Sequence, residues 1–405
     1  MTNGAPSDGR QGALARLRVL DLSGFVSGPY ATKLLADYGA DVVKVEPLDG
    51  DPARRTGPFP EDIPNIEASG LFLHLNTNKR SVTLDLETEE GRALLLDLIP
   101  RFDIVVENFS PGYLDEIGLD DATMVTANPR LVIAHITPFG QTGPYRRYRE
   151  TDLTLQAISG MVHHNGDPDR EPLKLFGYQS YYLGGAHASV AILAALRRRD
   201  ATGESQQVDL SIASCAGNVI VPPMTSWAYA GIITMRRGHG RGQWAIYPCA
   251  DGFATVSVYH TGREWGDFAR MVGSDAIKDP KFETAAGRTE HVEELESEIL
   301  AWTIGRTKHE LQELGRENRI AIGYTATVQD LIESPQLRSR DFFTQVEHPA
   351  AGTQTYPGAP VRLTGSPWRI RRRPPLLGEH NEEIYVGELG RRPEQLIEMS
   401  SSGVV

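Results

Sequence analysis

The chain has 405 residues, a formal net charge of −12 and 40% hydrophobic residues, a size that predicts more than one domain core. This acidic balance argues against nonspecific binding to nucleic acid, which requires clustered Lys and Arg. There is no run of 18 apolar residues and the first twelve residues are polar, so we expect a cytoplasmic protein with neither a membrane nor a nucleic-acid partner.

The first 150 residues alternate between strand-like and helical patterns. Strands are predicted at Leu17–Leu22, Asp41–Val45, Ser81–Leu86, Asp103–Val106 and Leu131–Ile136, and helices at Pro29–Tyr38 and Glu89–Ile99. Pro29 suits a first helical position, with Ser27 or Gly28 as the cap. The alternation predicts an α/β fold with a Rossmann-like, doubly wound parallel sheet. No Gly-x-Gly-x-x-Gly follows the first strand, so a dinucleotide site is not expected.

The pattern continues and then changes in the second half of the chain. Further helices are predicted at Asp152–Met161, Leu183–Arg199, Arg263–Met271, Glu290–Ala301 and Lys308–Leu314, and strands at Gln207–Leu210 and Phe253–Val258. The helix at Leu183–Arg199 is apolar and Ala-rich enough to be buried. We therefore expect residues 1–221 to form the first part of a large domain, 222–330 a small α+β domain, and 331–405 a return segment that completes the large domain.

Five strings resemble, in order and spacing, the family III CoA-transferases, which include formyl-CoA and carnitine CoA-transferases. They are Leu17–Leu22, Gly39–Glu46, Asn76–Ser81, Val106–Phe109 and Leu376–His380. The resemblance runs from about Leu17 to Leu389. It implies a large and a small domain in each of two interlocked subunits, a CoA thioester as substrate, and no tightly bound cofactor. The glycine-rich run Gly238–Gly242 resembles the family's active-site lid, although a flexible connector explains it equally well.

The family resemblance also implies a catalytic Asp, whose carboxylate attacks the thioester and forms a mixed anhydride. The matching position here is Tyr181, and no Asp or Glu occurs from Pro172 to Arg199. A phenol, with a pKa near 10, would give a stable ester instead of an anhydride. The racemases of the family use a His and an Asp, and Thr151 and Tyr181 stand at those positions. The sequence therefore predicts that no catalytic nucleophile is present.

Several residues match family positions that line the CoA site: Val26, Ser27, Asn108, Phe109 and Arg149. By contrast, Glu87 and Glu116 stand where relatives carry basic residues, and each should weaken binding of a polyanion by about 1 kcal/mol. Other cations that could contact an anion are Arg54, Arg55, Lys79, Arg80, Arg146 and Arg147. For Lys79 and Arg80, a solvated strand entry or an interface ion pair is an equal alternative.

The remaining reactive side chains receive structural interpretations. Cys215 and Cys249 form neither a disulfide framework nor a metal cluster and are expected to be buried. His163, His164 and His187 lack metal-binding spacing, so no metal is expected. His380 is expected to be a structural, hydrogen-bonding residue.

The leading hypothesis is a nucleophile-lacking subunit of a heteromeric CoA-transferase whose homologous partner carries the catalytic Asp. The complex would move CoA from a donor such as succinyl-CoA to a carboxylic acid. Gly57–Pro60 and Leu71–Leu73 resemble the benzylsuccinate enzymes of toluene degradation and favour an aromatic dicarboxylate. The alternatives are an independently active CoA-transferase that uses Asp152 or Tyr181, and a ligand-binding scaffold without a catalytic partner.

Overall fold

The computed structural model describes residues 12–236, 240–242, 244–258 and 262–405. These residues fall into two compact units. The larger unit contains residues 12–161, 174–228 and 339–405, and the smaller contains 162–173 and the described part of 229–338. The domain limits proposed from the sequence stay a prediction. Within the described residues, no helix is both long and apolar enough to span a bilayer.

A six-stranded parallel sheet forms the centre of the larger unit. Its strands are β1 (Arg18–Asp21), β2 (Asp41–Glu46), β3 (Lys79–Thr83), β4 (Ile104–Glu107), β5 (Val132–Thr137) and β6 (Gln206–Ser211). Their order in space is β3-β2-β1-β4-β5-β6. The direction of winding reverses between β1 and β4, and a crevice opens there at the carboxyl ends of the strands. The predicted doubly wound α/β fold is confirmed.

Two smaller antiparallel sheets contain the other strands of the described residues. Strands β7 (Gly240–Arg241), β8 (Trp244–Cys249), β9 (Gly252–Ser257) and β10 (Ala321–Tyr324) form an antiparallel sheet in the smaller unit. Strands β11 (Phe343–His348) and β12 (Gly352–Pro357) form a hairpin in the larger unit. Of the predicted glycine-rich run, Gly238 and His239 lie outside the described residues.

Helices connect and cover these strands. They are α1 (Ser27–Asp37), α2 (Gly70–Leu75), α3 (Glu89–Leu98), α4 (Tyr113–Glu116), α5 (Asp121–Ala127), α6 (Asp152–Ile158), α7 (Gln179–Thr202), α8 (Ile212–Gly217), α9 (Val221–Ala230), α10 (Gly262–Val272), α11 (Ala285–Glu290), α12 (Val292–Thr303), α13 (Lys308–Asn318), α14 (Val328–Glu333), α15 (Pro335–Ser339) and α16 (Pro393–Ser401), with a π-helical segment at Glu382–Glu388.

Helix α1 begins earlier than the sequence predicted. Its first residue is Ser27 and its N-cap is Val26, so neither Ser27 nor Gly28 is the cap. The Tyr30 N–H donates to the Val26 carbonyl at 2.8 Å, which brings Pro29 inside the first turn. Proline is tolerated there because the first N–H groups of a helix have no partner within the helix.

Helix α7 also begins four residues before the predicted start, so Tyr181 lies within its first turn. The prediction that this helix is buried holds for one side of it and fails for the other. One side packs against α1 and the sheet through residues such as Ala188 and Ile192, whereas Val190 is 68% and Leu193 is 40% exposed. The helix therefore presents an apolar strip that this chain leaves uncovered.

The sheet separates two apolar cores because successive strand residues point to opposite faces. Val19, Val42 and Val106 contact α1 and α7 on one face. On the other, Leu20, Val43 and Val105 belong to a cluster that also contains the final residues Val404 and Val405. In the smaller unit, β8 to β10 pack against helices around a separate aromatic core. That core contains Trp265, Phe268, Phe282 and Trp302.

Candidate functional site

A cleft of about 600 Å³ lies at the carboxyl ends of β1 and β4. The loops after these strands form one wall, and the segment 146–150 and the start of α7 form another. All five residues predicted to line a CoA site are found here, together with Tyr181. The cleft-lining residues used below are Phe25, Val26, Ser27, Asn108, Phe109, Tyr113, Glu116, Arg146, Arg147, Arg149, Glu150 and Tyr181.

The wall formed by the β1 and β4 loops is held by paired hydrogen bonds. The Asn108 side chain accepts from the Gly24 N–H and donates to the Gly24 carbonyl, both at 2.8 Å. The Phe25 N–H donates to Asp51 at 2.9 Å. Val26 and Ser27 then enter α1, where the unbonded N–H groups carry partial positive charge. This wall is a fixed, polar surface suited to an anionic ligand.

A buried charge cluster lies beneath that wall. Asp21 accepts hydrogen bonds from Lys79 at 3.0 Å and from Thr32 at 2.6 Å, and it also contacts Ser23. Lys44 donates to the Ser23 carbonyl at 2.7 Å. Burial would raise the pKa of Asp21, but attraction from Lys79 and Lys44 and the hydroxyl hydrogen bonds outweigh it and lower the pKa to about 2. Burial lowers the pKa of Lys79 to about 8, although Asp21 opposes the shift.

The predicted roles of several cations are therefore corrected. Lys79 is fully buried in this cluster, and it is neither solvated nor available to an external anion. Arg54 is fully buried and pairs with Glu46 and Glu67, because the fold brings these distant carboxylates around it. Two more of the predicted cations have partners within the chain. Arg80 pairs with Asp41, Glu383 and Glu388, and Arg55 pairs with Asp49. Of the predicted cations, Arg146, Arg147 and Arg149 line the cleft.

A second charge cluster supports the end of β4. The His135 ring lies between two carboxylates, with Nδ1 2.5 Å from Glu107 and Nε2 3.1 Å from Asp121. The other Glu107 oxygen accepts the Phe109 N–H at 2.7 Å. Burial would lower the pKa of His135, but the hydrogen bonds and charges of Asp121 and Glu107 outweigh it and raise the pKa to about 10. His135 is therefore an imidazolium at neutral pH.

At the predicted nucleophile position, the Tyr181 hydroxyl faces a carboxylate. It lies 3.2 and 3.1 Å from the two oxygens of Glu150. Burial and the negative charge of Glu150 both raise the pKa of Tyr181 above its ordinary value, so the phenol keeps its proton. Burial also raises the pKa of Glu150, although the Tyr181 hydrogen bond opposes the shift. Glu150 was not predicted from the sequence, because it lies in a loop outside helix α7.

Asp152, which the sequence offered as an alternative nucleophile, has both carboxylate oxygens hydrogen-bonded within the chain. One of its oxygens accepts from the Ser180 N–H at 3.0 Å and from the Ser180 hydroxyl at 2.6 Å. The other accepts from Gln156 at 2.6 Å and from Lys174 at 3.1 Å. Both oxygens are thus engaged in holding the start of α7. The neighbouring Thr151, at the position of a racemase His, caps α6.

The two glutamates at family basic positions lie at or near the cleft. Glu116 lines it directly. Glu87 accepts a hydrogen bond from the Tyr113 hydroxyl at 2.6 Å, and Tyr113 is a cleft residue. Both negative charges therefore oppose an anion held between Arg146, Arg147 and Arg149.

The remaining predictions concern residues away from the cleft. Cys215 and Cys249 are buried and free, as expected. His380 accepts the Ser81 N–H at 3.2 Å and contacts Arg372, which confirms its structural role. Among the residues that the structure describes, no group of three or more His, Cys, Asp or Glu side chains could hold a metal ion.

The fold and the cleft define an α/β protein with a cleft at the switch point of a doubly wound sheet. The chain belongs to CoA-transferase family III, whose family model matches residues 14–381. It is 35% identical to the succinyl-CoA:(R)-benzylsuccinate CoA-transferase subunit BbsE of Thauera aromatica, covering 92% of this chain and 93% of that one. It is also 35% identical to the formyl-CoA:oxalate CoA-transferase of Streptomyces coelicolor, covering 97% and 99%.

The chain is also similar to proteins of solved structure. A CAIB/BAIF family protein from Brucella suis superposes with a TM-score of 0.84 at 29% identity, covering 94% of this chain and 100% of that chain. The Rv3272 protein of Mycobacterium tuberculosis superposes with a TM-score of 0.79 at 27% identity, covering 92% and 99%. The large-unit architecture is therefore that of this family.

Proposed function

We propose that this chain is the nucleophile-lacking subunit of a heteromeric CoA-transferase. The observation that carries the proposal is Tyr181, a protonated phenol in the first turn of a helix without any carboxylate before Asp200. CoA transfer through an acyl-enzyme needs a group that forms a reactive anhydride, and a phenol forms a stable ester. A homologous subunit that carries Asp at this position supplies the missing group.

The uncovered apolar surface supports a partner chain. Val190 and Leu193 lie on the exposed strip of α7, and on α9 Met224 is 47% and Trp227 is 60% exposed. Isolated soluble chains rarely leave so many large apolar side chains uncovered in neighbouring segments. A homologous subunit, interlocked with this one, covers these residues in the proposed complex. The similarity to BbsE, which is named as a subunit, agrees with this arrangement.

The proposed reaction moves CoA from an acyl-CoA such as succinyl-CoA to a carboxylic acid. The similarity to BbsE favours an aromatic dicarboxylate such as benzylsuccinate as the acceptor. CoA contacts this chain at Val26, Ser27, Asn108, Phe109 and Arg149. Glu116, in the same cleft, makes that binding weak.

Co-expression with an Asp-bearing homologue tests the proposal. The two chains should copurify and transfer CoA from succinyl-CoA to benzylsuccinate, whereas this chain alone should be inactive. Replacing the partner's Asp with Ala should abolish activity. Tyr181→Phe should leave the activity of the complex within about twofold, because the proposed nucleophile is elsewhere. Turnover by this chain alone would refute the assignment, and failure to associate with any such homologue would favour a ligand-binding scaffold.

A second candidate is an independently active enzyme in which Glu150 replaces the missing Asp. Glu150 is a partly buried cleft carboxylate, and the Tyr181 hydroxyl 3.1 Å away could orient it. Its oxygen would attack the thioester carbonyl, break the C–S bond, release CoA thiolate and leave a mixed anhydride. The thiolate would then attack the glutamyl carbonyl, release the donor acid and form a Glu150–CoA thioester.

The acceptor carboxylate would next attack that thioester, releasing CoA thiolate and forming a new mixed anhydride. Attack of the thiolate on the acceptor's acyl carbon would give the product and regenerate Glu150. This candidate predicts a CoA adduct on the Glu150 peptide after incubation with succinyl-CoA, and its loss in Glu150→Gln. Mass spectrometry of the purified single chain therefore separates the two candidates.

A further inference from the structure

The ion cluster of Glu107, His135 and Asp121 spans two strands and a helix beside the cleft. His135 on β5 is the register partner of Glu107 on β4, so their side chains lie on the same face of the sheet. Asp121 opens helix α5 and approaches the ring from the other side. Glu107 is 2% and His135 is 9% exposed. A strand-end carboxylate this deeply buried needs a charged partner, and His135 provides it.

The cluster is connected to the cleft by a short chain of hydrogen bonds. The Glu107 oxygen that does not face His135 accepts the Phe109 N–H at 2.7 Å. The intervening residue, Asn108, makes the reciprocal pair with Gly24 in the β1 loop. The orientation of the Glu107 carboxylate therefore sets the backbone of the two residues after β4 that line the cleft. Asp121 contacts His135 and does not contact Glu107, so it should affect the position of the Glu107 carboxylate less than His135 does.

We propose that His135 is a positioning residue, which fixes the Glu107 carboxylate and through it the Asn108–Phe109 wall of the cleft. The inference rests on the proposed function, because that wall is where CoA contacts this chain. A neutral replacement leaves the Glu107 carboxylate buried without its counter-charge, so the carboxylate turns toward solvent. The bond to the Phe109 N–H then weakens and the wall loosens.

Two variants break the charged pair from opposite sides, His135→Gln and Glu107→Gln, both made in the full chain. Amide hydrogen exchange at Phe109 reports the wall directly and requires no ligand. We expect each variant to exchange this proton about tenfold faster than the parent, which corresponds to one weakened hydrogen bond. Asp121→Asn should change the rate by less than about threefold, because the Glu107–His135 contact remains.

Arg199→Gln is the matched control. Arg199 is also a buried cation between two carboxylates, Asp103 and Asp200, but it lies at the opposite end of the same sheet. Its loss should reduce stability without changing exchange at Phe109. If a folded His135→Gln or Glu107→Gln protein keeps the parent rate at Phe109, or if Arg199→Gln raises that rate equally, the positioning role is wrong.

Calorimetric titration with CoA separates this inference from the proposed function. His135→Gln should weaken CoA binding by about tenfold, and Arg199→Gln should leave it unchanged. A parent chain that binds no CoA would refute the proposed contacts, while the exchange measurement would still decide the role of His135. Equal CoA affinity of the parent and His135→Gln would overturn the link between the wall and CoA binding.

Discussion

The two walls of the cleft differ in how deeply their charged and polar side chains are buried. The β1–β4 wall rests on buried charges, with Asp21 and Lys79 under one loop and Glu107 and His135 under the other. The α7 wall carries Tyr181 and Glu150, which are only partly buried and bond to each other at the cleft surface. Residues of the first wall are coupled to the stability of the whole sheet, whereas residues of the second can change with little effect on folding.

The comparison shows why a reactive group can be lost while the binding surface keeps its shape. A buried ion pair cannot lose one member without exposing the other to an apolar interior. A carboxylate at the cleft surface can be replaced by a phenol, because water and neighbouring groups can form hydrogen bonds with either side chain. A cleft of this shape is therefore compatible with the proposed nucleophile-lacking subunit.

The largest expected effect comes from breaking the cluster under the first wall. Lys79→Met removes the counter-charge 3.0 Å from Asp21 and should lower the free energy of unfolding by about 3–5 kcal/mol. Chemical denaturation measures the change. The matched control is Lys278→Met, which removes an exposed pair with Asp275 and should change stability by less than about 0.5 kcal/mol. Similar losses of unfolding free energy in the two variants would show that the buried pair stabilises the protein no more than the exposed pair does.

The second effect is a pH dependence that belongs to His135. Its folded pKa is about 10 against an ordinary value of 6.5, so its contribution is complete below pH 6.5 and is lost as the pH rises toward 10. Over this window the parent should lose about 4 kcal/mol of stability relative to His135→Gln. The contribution of Lys79 to stability, with a folded pKa of about 8, rises with pH instead of falling. The quantity to measure is therefore the difference in unfolding free energy between the parent and His135→Gln, because Lys79 is present in both. A difference independent of pH would contradict the charged state of His135.

The smallest expected effect concerns the charge of the cleft itself. Glu116→Arg replaces a repelling charge with an attracting one and should tighten CoA binding by about fivefold, or about 1 kcal/mol, at low salt. Added salt should reduce the gain because these charges are exposed. Glu394→Arg on α16 makes the same change in net charge away from the cleft. Equal tightening in both variants would show that only overall charge matters.

Much of the fold could be predicted from the sequence because strand and helix patterns alternate with little ambiguity. For the predicted elements of the larger unit, the differences lie mainly at the element ends, whereas several short elements, such as β11 and β12, were not predicted. Strand β3 begins at Lys79 instead of Ser81, since two charged residues concealed its start, and α7 begins at Gln179 instead of Leu183. In both cases distant partners decide the boundary: Asp21 neutralises Lys79, and Asp152 binds the Ser180 N–H.

The candidate site was predicted in part. Family resemblance selected Val26, Ser27, Asn108, Phe109 and Arg149, and the structure places them around one cleft with Tyr181. Sequence could not distinguish exposed cations from buried ones. Burial of Arg54 and Lys79 depends on carboxylates that only the folded chain brings near, and these contacts leave no local signal. The pair Glu107–His135 was missed for the same reason, because it joins strands 28 positions apart.

The carboxylates around the start of α7 disfavour an ionised aspartate at position 181. Asp152 is fixed beneath residue 180, and Glu150 lies where the Tyr181 hydroxyl now meets it. An aspartate restored at position 181 would add a third acidic group to this small space, and neighbouring carboxylates favour retention of a shared proton. Recovering an ionised nucleophile would therefore require at least one compensating replacement. In the proposed complex, this arrangement would tie the chain to its Asp-bearing partner through more than one residue.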